Sequence, residues 1–420
     1  MRTLRPAVLA VVLSWTATLA HAQTGTAARP AAARSPACDD DNGGLVLPDG
    51  FCAVTVATKL GRVRQLVVAP NGDLYAALSG VAGDGSGGVL AFRDRDGDGH
   101  PDERASFGPR GGNDVKIHDG HLYFALNDRI IRWPLGGALE PGGDGDVIVA
   151  DLPADGGHVA KSLAFDGDVM YVNVGSKTNS CQKTDRLTGS PGHDPCGELA
   201  RRAGVWVFAA GRAGQTFADG RRYATGLRNA MALAIQPGAK RLWAGVHGRD
   251  MLSQNWGFSN EVNAENPAEE FVRVSEGEDY GWPYCFYSNQ YRAKVLAPDY
   301  GGDGRRTDRC ADRAKPVIAF PGHWAPMALV FYPDTAFGAR YRGGAFLAFH
   351  GSWNREPLPQ AGYRVVFIPF AGGTPSGAYE TFATGKSATS LRASGVAVSA
   401  DGSLFVADDH AGTIWKIMRR

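Results

Sequence analysis

The 420 residues carry 44 Lys and Arg against 43 Asp and Glu, a formal net charge of +1. No basic cluster exceeds short runs such as Arg221-Arg222, so nucleic-acid binding has no electrostatic support. Beyond the N-terminus no stretch approaches the about 18 apolar residues of a membrane-spanning helix, and no stable membrane insertion is expected. The 56 glycines and 24 prolines suit a repeat of short strands and tight turns.

In chain order, Arg2 and Arg5 precede an apolar run from Ala7 to Leu19 that ends in Ala20-His21-Ala22. That pattern reads as a signal peptide over 1–22, followed by a disordered lead-in over 23–46 and one domain over 47–420. Export to the periplasm or the medium agrees with the six cysteines. They fall as neighbouring pairs, Cys38/Cys52, Cys181/Cys196 and Cys285/Cys310, and pairing them in sequence closes the shortest loops. No CxxCH motif is present, which argues against covalently attached haem.

Six stretches then repeat one pattern, an apolar strand, a turn and a second apolar strand. They are LVVAPNGDLYAAL from Leu66, VKIHDGHLYFAL from Val115, SLAFDGDVMYVNVGS from Ser162, MALAIQPGAKRLWAGV from Met231, MALVFYPDTAFGARYRGGAFLAF from Met327 and GVAVSADGSLFVADD from Gly395. Each is a hairpin with an exposed edge, and a closed ring of such sheets hides those edges. The expected fold is therefore all-β, a six-bladed β-propeller. GVLAFRD, RIIRWPL, GVWVFAAG and YRVVFIPF read as outer strands, and FCAVTVAT (51–58) and TIWKIM (413–418) are candidates to close the ring. The run from Gly245 to Pro326 exceeds one blade's needs, and long loops on a rigid scaffold are where sites lie.

Several side-chain groups could carry chemistry. Gly156-Gly157-His158 precedes an inner strand, where an imidazole can serve as general base or be a surface-loop histidine. Arg228 and Asn229 also precede an inner strand; together they suit an anionic or carbonyl-rich ligand, or form a solvated turn. Glu269-Glu270 with Asp279-Tyr280-Gly281-Trp282-Pro283 offers oxygens for Ca2+, or is a solvated acidic strand edge. Asp94, Asp96 and Asp98, then Asp102 and Glu103, resemble a Ca2+ loop in which the Glu comes too early for an EF-hand, or form an acidic hairpin tip. The segment from His350 to Arg355 ends an inner strand, and Arg392 precedes the last hairpin.

GGHVAKSLAF…YVNVGS, YATGLRNAMALAI, EDYGWP and HGSWNR, in this order, make the chain resemble the soluble quinoprotein glucose/sorbosone dehydrogenase family from about Leu47 to the C-terminus. HGSWNR is similar to the sorbosone-type branch. The resemblance implies a propeller that binds pyrroloquinoline quinone (PQQ) and Ca2+ and oxidises an aldose or related aldehyde, with an external electron acceptor. It implies that His158 takes the hydroxyl proton, that Arg228 and Asn229 contact the quinone oxygens, and that Arg355 and Arg392 meet the cofactor. It further implies that Gly248 and Arg249 offer carbonyls to one Ca2+, and that Glu270 and Tyr280 hold a second. Gly157 stands where the glucose enzymes have an acidic residue, Arg355 where they have a Lys, and Gln65 lies out of register with the family's first-blade Gln, with Arg64 beside it. A Ca2+-dependent lactonase-like hydrolase and a binding propeller without chemistry are the competing readings, since fold alone does not assign function.

Overall fold

A computed structural model describes Met1 and residues 36–80 and 88–420. The expected signal peptide and most of the lead-in lie outside the described residues. Six sheets, antiparallel except for a parallel edge pairing of Gln215–Thr216 in the second, stand in a ring, and their innermost strands are Val63–Val68, Asp114–His118, Leu163–Asp166, Ala232–Gln236, Pro326–Phe331 and Ala393–Val398. Each packs beside the next, and the sixth returns to the first. This is the six-bladed β-propeller that the hairpin repeat predicts, and all six predicted hairpins supply a blade's first two strands.

The second strands, such as Leu74–Leu78 and Ala345–Phe349, are buried along their whole length. A strand covered on both faces reads as an apolar run rather than an alternation, which is why these hairpins stand out in the sequence. The outermost strands do not. Glu103–Phe107 and Arg221–Thr225 are short and charged because one edge meets water. Between neighbouring blades lie aromatic clusters. In the largest, Phe346, Phe367, Phe382 and Trp415 join blades 5 and 6.

Phe51–Ala57 closes the ring. It pairs antiparallel with Thr413–Arg419 as the outermost strand of blade 6, so the two ends of the chain share one sheet. The segment before it is fastened as well. Asp39 accepts from the Thr55 amide at 2.9 Å and hydroxyl at 2.6 Å, Leu45–Val46 adds to the edge of blade 5, and Cys38 bonds Cys52. Cys181–Cys196 and Cys285–Cys310 complete the sequential pairing expected from the sequence.

The axis is filled at one level by Gln65. Its Nε2 lies 3.2 Å from Ser162 Oγ, Met231 O and Met327 O, on blades 3, 4 and 5, and its Oε1 accepts from Lys116 Nζ at 3.1 Å. One amide thus ties five of the six blades together.

Losing the Cys38–Cys52 bridge frees the segment that leads into the closing strand. Cys38→Ser should lower stability by about 2–3 kcal/mol, as expected for a loop of this size. Urea unfolding measures it, and an unchanged midpoint would show that this bridge does not secure the closure.

Candidate active site

Antiparallel blades bring two kinds of loop to one end of the ring: those entering the inner strands, and those joining second to third strands. His158, Arg228, Asn229 and Arg392 come from the first kind; Ser176, His247 to Asp250, His350 and Asp409 come from the second. The sequence scatters these residues, and the propeller gathers them at one mouth.

His158 is held by Ser176, whose carbonyl and hydroxyl oxygens lie 3.0 and 2.9 Å from Nδ1. The Ser176 hydroxyl donates to Thr178 O at 2.7 Å, so it accepts from the imidazole. Nδ1 therefore carries the proton and Nε2 keeps its lone pair. Burial, then the neighbouring Arg228 and His247, push the imidazole well below its ordinary pKa, so it stays neutral at pH 7 and able to accept a proton. Ser176 orients the ring without the acidic neighbour that Gly157 lacks. Gly175 permits this approach, because a Cβ there would lie 2.6 Å from His158 Cβ and 2.8 Å from Asn229 Oδ1.

Arg228 is almost fully buried, with 4% exposure. Its guanidinium donates to Asn179 O at 2.9 Å, Gly248 O at 2.7 Å, Asn179 Oδ1 at 3.0 Å and Asp250 Oδ2 at 3.1 Å. Four of its five N–H groups are thereby engaged. Burial pushes the Asp250 carboxyl up, but Arg228, His323 and Arg186 outweigh it and hold Asp250 far below the usual carboxylate range. The turn before Arg228 needs Gly226, whose φ is +74° and whose added Cβ would meet Asp279 Oδ1 at 2.4 Å. Asn229 is aimed by a relay. The Ala230 amide donates to Asn173 Oδ1 at 3.0 Å, so Asn173 Nδ2 donates to Asn229 Oδ1 at 3.2 Å. Asn229 Nδ2 is left with no protein acceptor among the described residues, ready for a carbonyl oxygen.

Across the mouth, Arg62, Arg64, His350, Arg392, Asp409 and His410 line a cavity of about 320 Å³. Arg64 pairs with Asp409 at 2.7 Å, and His350 Nε2 lies 2.7 Å from the other Asp409 oxygen. The Arg392 guanidinium lies over the Tyr363 ring at 5.7 Å, and among the described residues no carboxylate pairs with it. Three guanidinium groups thus face one carboxylate, a surplus of positive charge that favours an anionic ligand.

The structure distributes the remaining expected residues differently. Gly248 O accepts from Arg228, while the Gly248 amide donates to Glu269 Oε2 at 3.3 Å. The Arg249 side chain turns away into a buried ion pair with Asp299. Glu270 and Tyr280 do converge, but on the Lys294 ammonium. Arg355 does not join the cationic bank: its guanidinium donates to Ala264 O, to Gly322 O at 3.3 Å and to Pro359 O at 3.2 Å, and meets Glu265 at 3.2 Å, binding its loop to the blade 4 insertion. The carboxylates of Asp94, Asp96 and Asp102 come together on a turn between third and fourth strands, at the end of the ring away from the mouth.

Sequence reasoning missed Ser176, Asp250, Asn179 and the pairing of Arg64 with Asp409. Asp250 follows Gly248-Arg249 directly, a signal within reach. Asn179 and Ser176 sit in a disulfide loop whose course no local pattern sets. Glu269 was read with Glu270 as one acidic group, yet they face opposite sides of a strand. Burial pushes the Glu269 carboxyl up to about 8, so it holds a proton at pH 7.

That proton has a stability consequence. Glu269's folded pKa of about 8 lies above the 4.5 of the free side chain. Its contribution is complete below pH 4.5 and is lost as pH rises through about 8. Glu269→Gln should remove this decline, by a few kcal/mol at the alkaline end. Urea unfolding in metal-free buffer across the pH range reads it, and an unaltered pH dependence would mean that the folded carboxyl is ionised.

A family model described as TrAA12-like matches residues 45–420. A Trichoderma reesei protein of carbohydrate-active enzyme family AA12 superposes with a TM-score of 0.74 at 18% identity, over 90% of this chain and 98% of that one. The pyranose dehydrogenase PQQ domain of Coprinopsis cinerea, in its holo form, gives 0.73 at 19% identity over 92% and 98%. In sequence, the PQQ-dependent pyranose dehydrogenase of Coprinopsis cinerea is 32% identical over 127 residues, 27% of this chain and 16% of that protein. A Borreliella burgdorferi protein is 26% identical over 200 residues, 46% of this chain and 48% of that one. The matched stretches cover under half the length of these curated relatives. These findings agree with the resemblance drawn from the sequence.

Proposed function

The chain belongs to the TrAA12-like family, and from that premise we propose that it is an exported PQQ-dependent oxidoreductase acting on an aldose or related aldehyde. The observation that carries this reading is the pairing of a neutral, oriented imidazole at His158 with a cationic mouth. The likeness to PQQ-dependent pyranose dehydrogenase supports it, as do the three disulfides, which suit an oxidising compartment.

PQQ carries three carboxylates and two quinone carbonyls, and the residues present fit such a group. Arg62, Arg64 and Arg392 offset the carboxylate charge, Arg392 without a carboxylate of its own to displace. The free Nδ2 of Asn229 and the remaining N–H of Arg228 are donors for quinone oxygens. The resemblance gives Ca2+ to the Gly248 and Arg249 carbonyls, but Gly248 O already accepts from the Arg228 guanidinium at 2.7 Å, so no step is routed through that ion. A bound quinone would supply a two-electron acceptor for the hydride of the substrate C–H bond, to be reoxidised by an external acceptor.

The chain's own part is proton transfer and orientation. His158 Nε2 takes the proton of the hydroxyl on the carbon that is oxidised, and the Ser176 contacts at Nδ1 hold the ring in the orientation for that transfer. Arg228, fixed by Asn179 and Asp250, supplies positive charge where negative charge develops. Its four protein contacts keep it from reorganising during the reaction. A hydrolase reading is weaker, because the mouth carboxylates Asp250 and Asp409 are engaged by arginines rather than free for metal.

The test is reconstitution of apoprotein with PQQ and Ca2+, with a dye acceptor and a panel of aldoses. Turnover that needs the quinone is expected. Arg392→Ala should weaken PQQ binding about 10- to 100-fold, the worth of a charged hydrogen bond. Failure of the wild type to bind PQQ would leave a binding propeller as the better account.

A further inference from the structure

Lys294 lies in the hairpin Cys285–Ser288 and Ala293–Leu296, inserted into blade 4. Its side chain is 2% exposed. The ammonium donates at 2.7 Å to Glu270 Oε1, at 2.7 Å to Glu270 Oε2 and at 2.7 Å to Tyr280 O. An ammonium has three N–H groups, so none is left over. These oxygens belong to the two residues that the sequence resemblance assigns to a second Ca2+, and they do not fit a metal here. The 2.7 Å separations are those of N–H···O bonds between charged groups, and the nitrogen fills the point where the three oxygens converge.

Charge supports the same conclusion. The site is buried, and an uncompensated buried charge is costly. One carboxylate neutralises one ammonium, whereas a divalent cation beside Glu270 alone would leave one positive charge unmatched. Burial raises the Glu270 carboxyl, and Lys294 is the largest influence that lowers it. The cation also has a structural task. It joins the third strand of blade 4, through Glu270, to the Asp279–Trp282 loop and to the inserted hairpin, beside a small cavity that Arg228 and Gly248 also line.

We propose that Lys294 is a covalently attached cation standing where a metal ion would otherwise bind, so that the Glu270–Tyr280 site is closed to calcium and this part of the propeller holds together without it. The proposal concerns this site alone and is independent of the redox reading.

The experiment compares wild type, Lys294→Ala, Lys294→Ala/Glu270→Gln and Glu270→Gln by thermal unfolding in EDTA and in millimolar Ca2+, and by terbium luminescence excited through the nearby Tyr280 and Trp282. Lys294→Ala should lower the thermal midpoint by about 5 °C or more in EDTA, as loss of one partner of a buried pair implies. Calcium should restore part of that loss, and terbium emission should rise above the wild-type level. Lys294→Ala/Glu270→Gln should lose both gains. In otherwise wild-type protein, Glu270→Gln should leave the calcium-induced shift and the terbium signal unchanged, and this arm stands even if Lys294→Ala does not fold. A smaller calcium shift or terbium signal in Glu270→Gln than in wild type would overturn the proposal. A stable Lys294→Ala that gains no calcium response would do so as well.

Discussion

Everything at the mouth depends on closure of the ring by Phe51–Ala57 against Thr413–Arg419. Six blades around one axis require the first and last to meet, and a strand from one end of the chain in the sheet of the other end makes that meeting cooperative. The seam also builds part of the mouth. Arg64 of blade 1 pairs with Asp409 of blade 6 across it, and Ser394 Oγ donates to Val63 O at 2.7 Å. The cationic bank therefore forms only in the closed ring, because its arginines come from opposite ends of the sequence. Gln65 reinforces the arrangement on the axis with contacts to four other blades.

The mouth has two sides with different physical characters. Blades 3 and 4 contribute the His158, Arg228 and Asp250 side, where nearly every polar atom already has a protein partner. Such a network is rigid, and removing one member of a buried pair costs about 3–5 kcal/mol. Blades 5, 6 and 1 contribute the other side, where Arg62 and Arg392 have no protein carboxylate among the described residues. The first side suits chemistry, since its groups need not reorganise; the second suits capture of an anion. A ligand spanning both would place its charge on the arginines and its reactive end beside His158.

The fold was legible because buried strands and tight turns leave local marks. The six apolar hairpins followed from burial on both faces, and the closing role of FCAVTVAT and TIWKIM from their positions at the ends. The segments expected as outer strands, such as GVLAFRD and GVWVFAAG, are third strands; the fourth strands beyond them were not legible, since ERASF and RRYAT are half-exposed and carry the charges of loops. The gathering of His158, Arg228, Asn229 and Arg392 at one mouth was legible from their shared place before inner strands. What they touch was not, because Ser176, Asn179 and Asp250 reach them through tertiary contacts. Arg355 shows the limit clearly. Its motif places it near the mouth, yet the blade 4 insertion, whose path no periodicity sets, supplies the carbonyls that claim it. Lys294 is the same lesson in reverse: a lysine in an unremarkable strand segment, AKVL, supplies the charge that the resemblance assigned to an ion.

In this mechanism a neutral His158 is the acceptor of the substrate proton, and a bound quinone would supply the acceptor of the hydride. Anaerobic single-turnover reduction of bound PQQ by an aldose, followed by absorbance, tests it most directly in wild type and His158→Ala at matched quinone occupancy. Reduction should be about 10²- to 10⁴-fold slower in the variant, the usual worth of a general base, with PQQ affinity preserved because the arginines hold its charge. Equal reduction rates at equal occupancy would contradict the account.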